Sequence, residues 1–133
     1  MSNITLTLDI PIRPKPAPRP RVTRRGTYNP KDYTDYKNAI ALLAEREKPK
    51  KIEGAVLLKI EYRFKMPNSW SKKKKVEMQG LWHTSRPDLD NLDKSIKDAL
   101  SGVCYNDDSQ VVLKQTNKVW SNNGMVHITV GEL

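Results

Sequence analysis

Gly54-Ala55-Val56-Leu57-Leu58-Lys59-Ile60-Glu61-Tyr62-Arg63-Phe64-Lys65 is the stretch on which the fold turns. Val56, Leu58, Ile60, Tyr62 and Phe64 fall on one face of an extended chain, and Lys59, Glu61, Arg63 and Lys65 on the other. A period of two predicts a half-buried strand, because successive side chains leave a strand on opposite faces. Pro67-Asn68-Ser69 breaks it. Upstream, Ile4, Leu6, Leu8 and Ile10 alternate with Thr5, Thr7 and Asp9 and predict another strand. Downstream, residues 110–120 and 125–130 read as two strands. The Asn-Gly in Ser121-Asn122-Asn123-Gly124 predicts that they form a hairpin.

Helical spacing fills the intervals. Asn29-Pro30 suits a helix start, with Asn as N-cap and Pro in the first turn. Tyr33, Tyr36, Ile40, Leu43 and Ala44 then recur at helical period to about Lys48, and Pro49 stops the helix. Ser69 or Ser71 caps a short helix over Lys72–Met78, ended by Gly80, and Trp82–Pro87 reads as loop. From Leu89, the residues Leu92, Ile96, Ala99 and Leu100 share one face of a further helix that Gly102 closes. Residues 11–25 carry five prolines and six basic residues with no acid, which predicts a stiff basic arm; Gly26–Tyr28 reads as a short extended piece. The expected fold is α+β: one domain over 1–133, a mixed sheet of about four strands, and helices packed on one face.

A length of 133 residues fits that single domain. No apolar run approaches the ~18–20 residues of a membrane span. Met1-Ser2-Asn3 followed by an alternating segment does not read as a secretory signal. One cysteine, Cys104, excludes an internal disulfide and a zinc site of several cysteines, and His83 and His127 are too few for a histidine-rich metal centre. A cytosolic protein is expected. The net charge of +9 points to a polyanionic partner, with nucleic acid first.

That charge is uneven. Residues 1–87 hold 20 basic and 8 acidic residues, a net of +12; residues 88–133 hold 4 and 7, a net of −3. Six of those seven acids lie between Asp88 and Asp108. Carboxylates repel phosphate, so an acidic cluster in a basic chain calls for a reason, and a divalent cation is one. Asp88 falls at the N-cap of the second long helix and Asp90 in its first turn, where capping and the helix dipole also favour an acid. Asp90 and Lys94 are spaced as an ion pair. If the chain returns Asp107-Asp108 beside the helix start, three or four carboxylates converge. Oxygen ligands of this kind suit Mg²⁺ or Mn²⁺, and the chemistry that follows is metal-assisted phosphodiester hydrolysis, with Lys94 placed to stabilise developing negative charge.

Asp88-Leu89-Asp90-Asn91-Leu92-x-Lys94, then Asp98-Ala99-Leu100, then Asp107-Asp108-Ser109-Gln110-Val111, closely resembles the RusA-type Holliday junction resolvases. The likeness is dense over about residues 86–112 and extends weakly over most of the chain. It implies a homodimeric, Mg²⁺-dependent endonuclease that cuts four-way DNA junctions by paired nicks in bacterial or phage recombination and repair. It implies Asp88, Asp90 and Asp108 as catalytic metal ligands and Lys94 as the catalytic lysine. Asn91 falls on the motif's asparagine and Asp107 stands next to the site; Asp93 and Asp98 read as structural. The chain departs from the pattern at Pro87, where an arginine can stand, with Arg86 one place earlier.

Arg13, Lys15, Arg19, Arg21, Arg24 and Arg25 are expected to track phosphates. Lys72, Lys73, Lys74 and Lys75 suit either DNA or an exposed helix face. Trp70, Trp82, Trp120 and Tyr62 read as core, Cys104 as a small buried residue, and His83 as something other than a ligand. Two other functions fit the same residues: a non-catalytic nucleic-acid-binding protein, and a metal nuclease acting on other branched or single-stranded nucleic acid. A C₂ dimer is also expected from symmetry, since two equivalent nicks need two equivalent sites.

Overall fold

Val56–Lys65 is an inner strand of a four-stranded mixed sheet. The computed structural model describes residues 3–18, 21–23, 26–28 and 31–133. In chain order the elements are β1 (Asn3–Ile10), β2 (Arg21–Thr23), β3 (Gly26–Tyr28), α1 (Lys31–Arg46), β4 (Val56–Lys65), α2 (Lys72–Met78), α3 (Leu89–Leu100), β5 (Val111–Ser121) and β6 (Met125–Glu132). A single 3-10 turn, Asp108–Gln110, precedes β5. The helix start expected at Asn29-Pro30 lies outside the described residues, as do Arg19, Arg24, Arg25 and the Arg21 side chain.

The sheet order is β1-β6-β4-β5, and β2 pairs with β3 in a separate ribbon. β6 runs antiparallel to both β1 and β4, whereas β5 runs parallel to β4, from Val56↔Val111 to Lys65↔Ser121. The expected hairpin between residues 110–120 and 125–130 is therefore not formed. Both strands exist, but β4 lies between them. The Asn-Gly signal reports a local reversal, and here the reversed chain steps across the end of β4 instead of pairing with itself. Three residues suffice for that step, since two strand spacings are roughly 10 Å.

The period-two residues of β1, β4 and β6 form the floor of the core: Leu6, Leu8, Ile10, Val56, Leu58, Ile60, Tyr62, Val126, Ile128 and Val130 are all buried. Tyr36, Ile40 and Ala44 of α1 and Leu92, Ile96, Ala99 and Leu100 of α3 cover them. Each fully buried Leu or Ile contributes about 1.5–3 kcal/mol, so the stripe on α3 is what holds this helix to the sheet. Gly102 stops α3 with φ +87, a left-handed conformation that side chains disfavour. α2 differs from expectation: none of its residues is buried, and it stands away from the helical layer.

α3 and β5 run in opposite directions. Near the start of α3, Lys118 of β5 reaches the carbonyls of Ser85 and Pro87; in the middle, Asp93 meets Thr116 and Lys114. Past the far end, Ser101 and Tyr105 bridge, and Gln110 is bonded back to Ile52 and Gly54. This antiparallel run decides where the acidic residues lie.

Candidate active site

The arm from Pro11 to Pro18 is extended and docked on the start of α3. The Ala17 amide donates to the Asn91 carbonyl at 2.9 Å, and Ser95 Oγ donates to the Lys15 carbonyl at 2.9 Å. Its other side crosses the β5–β6 connection so closely that a Cβ on Gly124 would stand 3.2 Å from Arg13 Cα. A cleft of about 1170 Å³ opens between the arm, the end of β4 and the loop before α3. Arg13, Lys15, Lys65 and Arg86 line it together with Asp88 and Asn91. The only described acids on this lining are Asp32 and Asp88, and Asp32 is paired with Lys15 at 3.8 Å.

Asp88 is the N-cap residue of α3, yet its carboxylate makes no capping hydrogen bond. Asp90 is exposed in the first turn. Among the described residues no hydrogen bond or ion pair holds either carboxylate, so capping does not account for them. Lys118, half-buried, fixes the approach to Asp88: its Nζ donates to the carbonyls of Ser85 and Pro87, both at 2.7 Å. Charge-assisted bonds of this length are the strong kind.

Asp93 is the opposite case. It is 1% exposed, accepts from Tyr62 Oη at 2.7 Å and Thr116 Oγ1 at 3.1 Å, and pairs with Lys114 Nζ at 2.9 Å. Burial, and then the Asp93 charge, push the Tyr62 phenol well above its ordinary range. Lys94 pairs with Asp98 at 4.0 Å rather than with Asp90. Asp98 also accepts from Tyr33 Oη at 3.5 Å, and burial with this neighbour pushes Tyr33 up to about 12. Asp93 and Asp98 are thus held by structural partners.

Asp107 and Asp108 lie at the other end of α3. Asp107 caps the 3-10 turn in a reciprocal box with Gln110, and the Ser109 hydroxyl, donating to its carboxylate, holds its pKa below the usual range. Asp108 is half-buried near Tyr105, whose phenol burial raises and Asp108 raises further. The twelve residues of α3 span roughly 18 Å, so within one chain Asp108 does not join Asp88 and Asp90. Among the described residues, no three His, Cys, Asp or Glu side chains form a metal-holding group. Asp88 and Asp90 are oxygen donors of the type that Mg²⁺ takes.

Lys72, Lys73 and Lys74 are exposed on α2, and Lys74 lies over the Trp70 ring at 4.3 Å. Trp70 packs on Trp120, 4.9 Å between centroids. Trp82 corrects the core reading: it is 68% exposed. The segment 80–83, of which Trp82 and His83 read as loop in the sequence, in fact lies along the outer edge of β5, with the Trp120 amide donating to the Leu81 carbonyl and the His83 amide to the Lys118 carbonyl. Alternation along that edge turns His83 inward and Trp82 outward. Sequence reasoning also missed Lys65 and Lys118 as site residues. Lys65 ends the alternating strand and so sits at the cleft mouth, which is a usable signal; Lys118 had none.

The chain matches the family described as Endodeoxyribonuclease RusA over residues 11–131. The Bacillus subtilis (strain 168) protein YqaN, described as uncharacterized, is 37% identical over 103 residues, 74% of this chain and 72% of its own length. The crossover junction endodeoxyribonuclease rusA of Lactococcus phage r1t is 42% identical over 53 residues, 39% of this chain and 40% of that protein. A basic cleft with Asp88, unpartnered among the described residues, at its wall suits an enzyme acting on a phosphodiester, and the match spans nearly the whole chain. The chain belongs to the RusA endodeoxyribonuclease family.

Proposed function

We propose that this protein is a Holliday junction resolvase: a homodimer that cuts four-way DNA by paired, symmetric nicks with Mg²⁺, or Mn²⁺, as cofactor, in cytoplasmic DNA recombination and repair. The observation that carries this reading is the pair Asp88 and Asp90, free of partners among the described residues beside a cationic cleft in a chain of the RusA family. Arg13, Lys15, Lys65 and Arg86 bind the phosphates that flank the cut, and Lys118 keeps the loop carrying Asp88 in register. In hydrolysis a water oxygen bonds to phosphorus, one P–O ester bond breaks, and the leaving oxygen takes a proton. Mg²⁺, when bound, lowers the pKa of that water and offsets phosphate charge.

A dimer is part of this reading. A two-fold axis that set α3 of one copy antiparallel to α3 of the other would bring each Asp88–Asp90 end toward Asp108 of the partner subunit. The donor set would then be completed between chains, and two equivalent sites would face the two strands to be cut. Labelled four-way junctions incubated with the protein and Mg²⁺ should be nicked in pairs. Asp90→Asn should abolish cutting and keep junction binding; wild-type cutting by this variant would remove Asp90 from the site.

A further inference from the structure

β4 and β5 run parallel and end level with each other, Lys65 opposite Ser121. The turns that follow them, Pro67-Asn68-Ser69 and Asn122-Asn123-Gly124, therefore leave the sheet side by side, and the Met66 amide donates to the Ser121 carbonyl at 3.0 Å. Between these turns and the start of the arm lies a second hollow, of about 700 Å³. Arg13, Lys65 and Pro67 border both this hollow and the cleft beside Asp88, so they form the divide between the two spaces. Gly124 lets arm and turn meet there, since a Cβ on it would stand 3.2 Å from Arg13 Cα.

The lining of the hollow is selective. Asn68 and Asn123 stand at its wall with Arg13 and Lys65, and all four side chains are exposed and, among the described residues, without a hydrogen-bond or ion-pair partner. No acid and no aromatic residue lines it among the described residues. Cations together with neutral amide donors are the set that holds phosphate and sugar oxygens, whereas an unpaired base takes an aromatic face to stack on. The Asn-Gly turn, which pairs no hairpin here, thus presents a polar side chain to the same space as the end of β4.

We propose that this hollow is a second phosphate-binding site, which takes the backbone of the cut strand where that strand passes over Arg13 and leaves the cleft. Arg13 and Lys65 hold phosphates at the divide, and Asn68 and Asn123 hold those beyond it. A continuous duplex enters both spaces only by bending, at an elastic cost that depends on the DNA, whereas a strand at a branch point is already turned. This site deepens the nuclease reading above and rests on it.

The test is a phosphate scan. Uncharged methylphosphonate linkages are placed one at a time along the strands of a four-way junction, and binding is measured without divalent cation. Wild-type protein should lose affinity about five- to tenfold in two separate windows, one at the cut and one displaced from it along the same strand. Asn68→Asp combined with Asn123→Asp sets two negative charges in the hollow at exposed, unpartnered positions. This variant should lose the sensitivity of the second window. It should also bind the four-way junction about tenfold more weakly, with a loss of less than about twofold on a straight duplex of the same sequence. A single window at the cut, a second window that persists in the variant, or equal losses on junction and duplex overturns the proposal. Wild-type protein that nicks no DNA with Mg²⁺ overturns the nuclease reading instead, and the scan still decides whether the hollow holds a phosphate.

Discussion

Asp88 and Asp93 stand little more than one turn apart on α3 and have opposite surroundings. Asp93 is sealed beneath the helix at 1% exposure with Tyr62, Thr116 and Lys114 on its oxygens, so it is closed to solvent and to ligands. Asp88, with Asp90 beside it, is exposed and, among the described residues, unpartnered at a cleft lined with Arg13, Lys15 and Arg86. The same residue type thus serves the fold in one place and is left available in the other. What distinguishes them is the inventory of partners, not the motif, since all three lie in Asp88-Leu89-Asp90-Asn91-Leu92-Asp93.

Substitution should separate the two cases cleanly. Asp90→Asn should lower the cutting rate by roughly a thousandfold or more while the thermal midpoint stays put. Asp93→Ala should do the reverse damage, costing about 3–5 kcal/mol in urea denaturation, because Lys114 and two hydroxyls lose their acceptor around a buried site. An Asp93→Ala protein of wild-type stability would break the comparison.

Smaller effects sharpen it. Lys118→Met should cut about 10- to 100-fold more slowly at unchanged junction affinity, and Lys118→Arg should recover part of the loss, because the charge acts on the backbone that carries Asp88. Arg13→Ala and Lys15→Ala should each make the slope of log affinity against log salt shallower by about 1. The smallest effect is alkaline. Burial pushes Cys104 up to about 12 from 9.0, so its contribution to stability is complete below pH 9 and is lost as pH rises toward 12. Denaturation midpoints should fall across that interval, and Cys104→Ala should fall less steeply.

The strands and helices that place the site were readable because period is a local property. β1, β4, α1 and α3 appear where alternation or helical spacing predicts them. The pairing of β5 and β6 was not, because turn chemistry at Asn123-Gly124 specifies a reversal and is silent on which strand lies between. Trp82 was misread for a related reason: an edge segment held by β5 looks like loop until its partner is known. In the site, Asp88, Asp90 and Asn91 were legible from the motif. The place of Asp108 was not, because it depends on β5 running antiparallel to α3 past its whole length. His83 and Lys118 are visible only once packing shows what surrounds them.

The central claim is that the Asp88–Asp90 end of one chain works with Asp108 of the partner subunit. Co-folding equal amounts of Asp90→Asn and Asp108→Asn chains, each inactive alone, tests it directly. Half of the dimers are then mixed, and in a site shared between chains each mixed dimer has one intact site and one doubly altered site. Nicking of a four-way junction should return to about a quarter of the wild-type rate, on one strand at a time. If both residues served the same site from one chain, every site in the mixture would lack a carboxylate, and the absence of any recovered nicking would contradict the account.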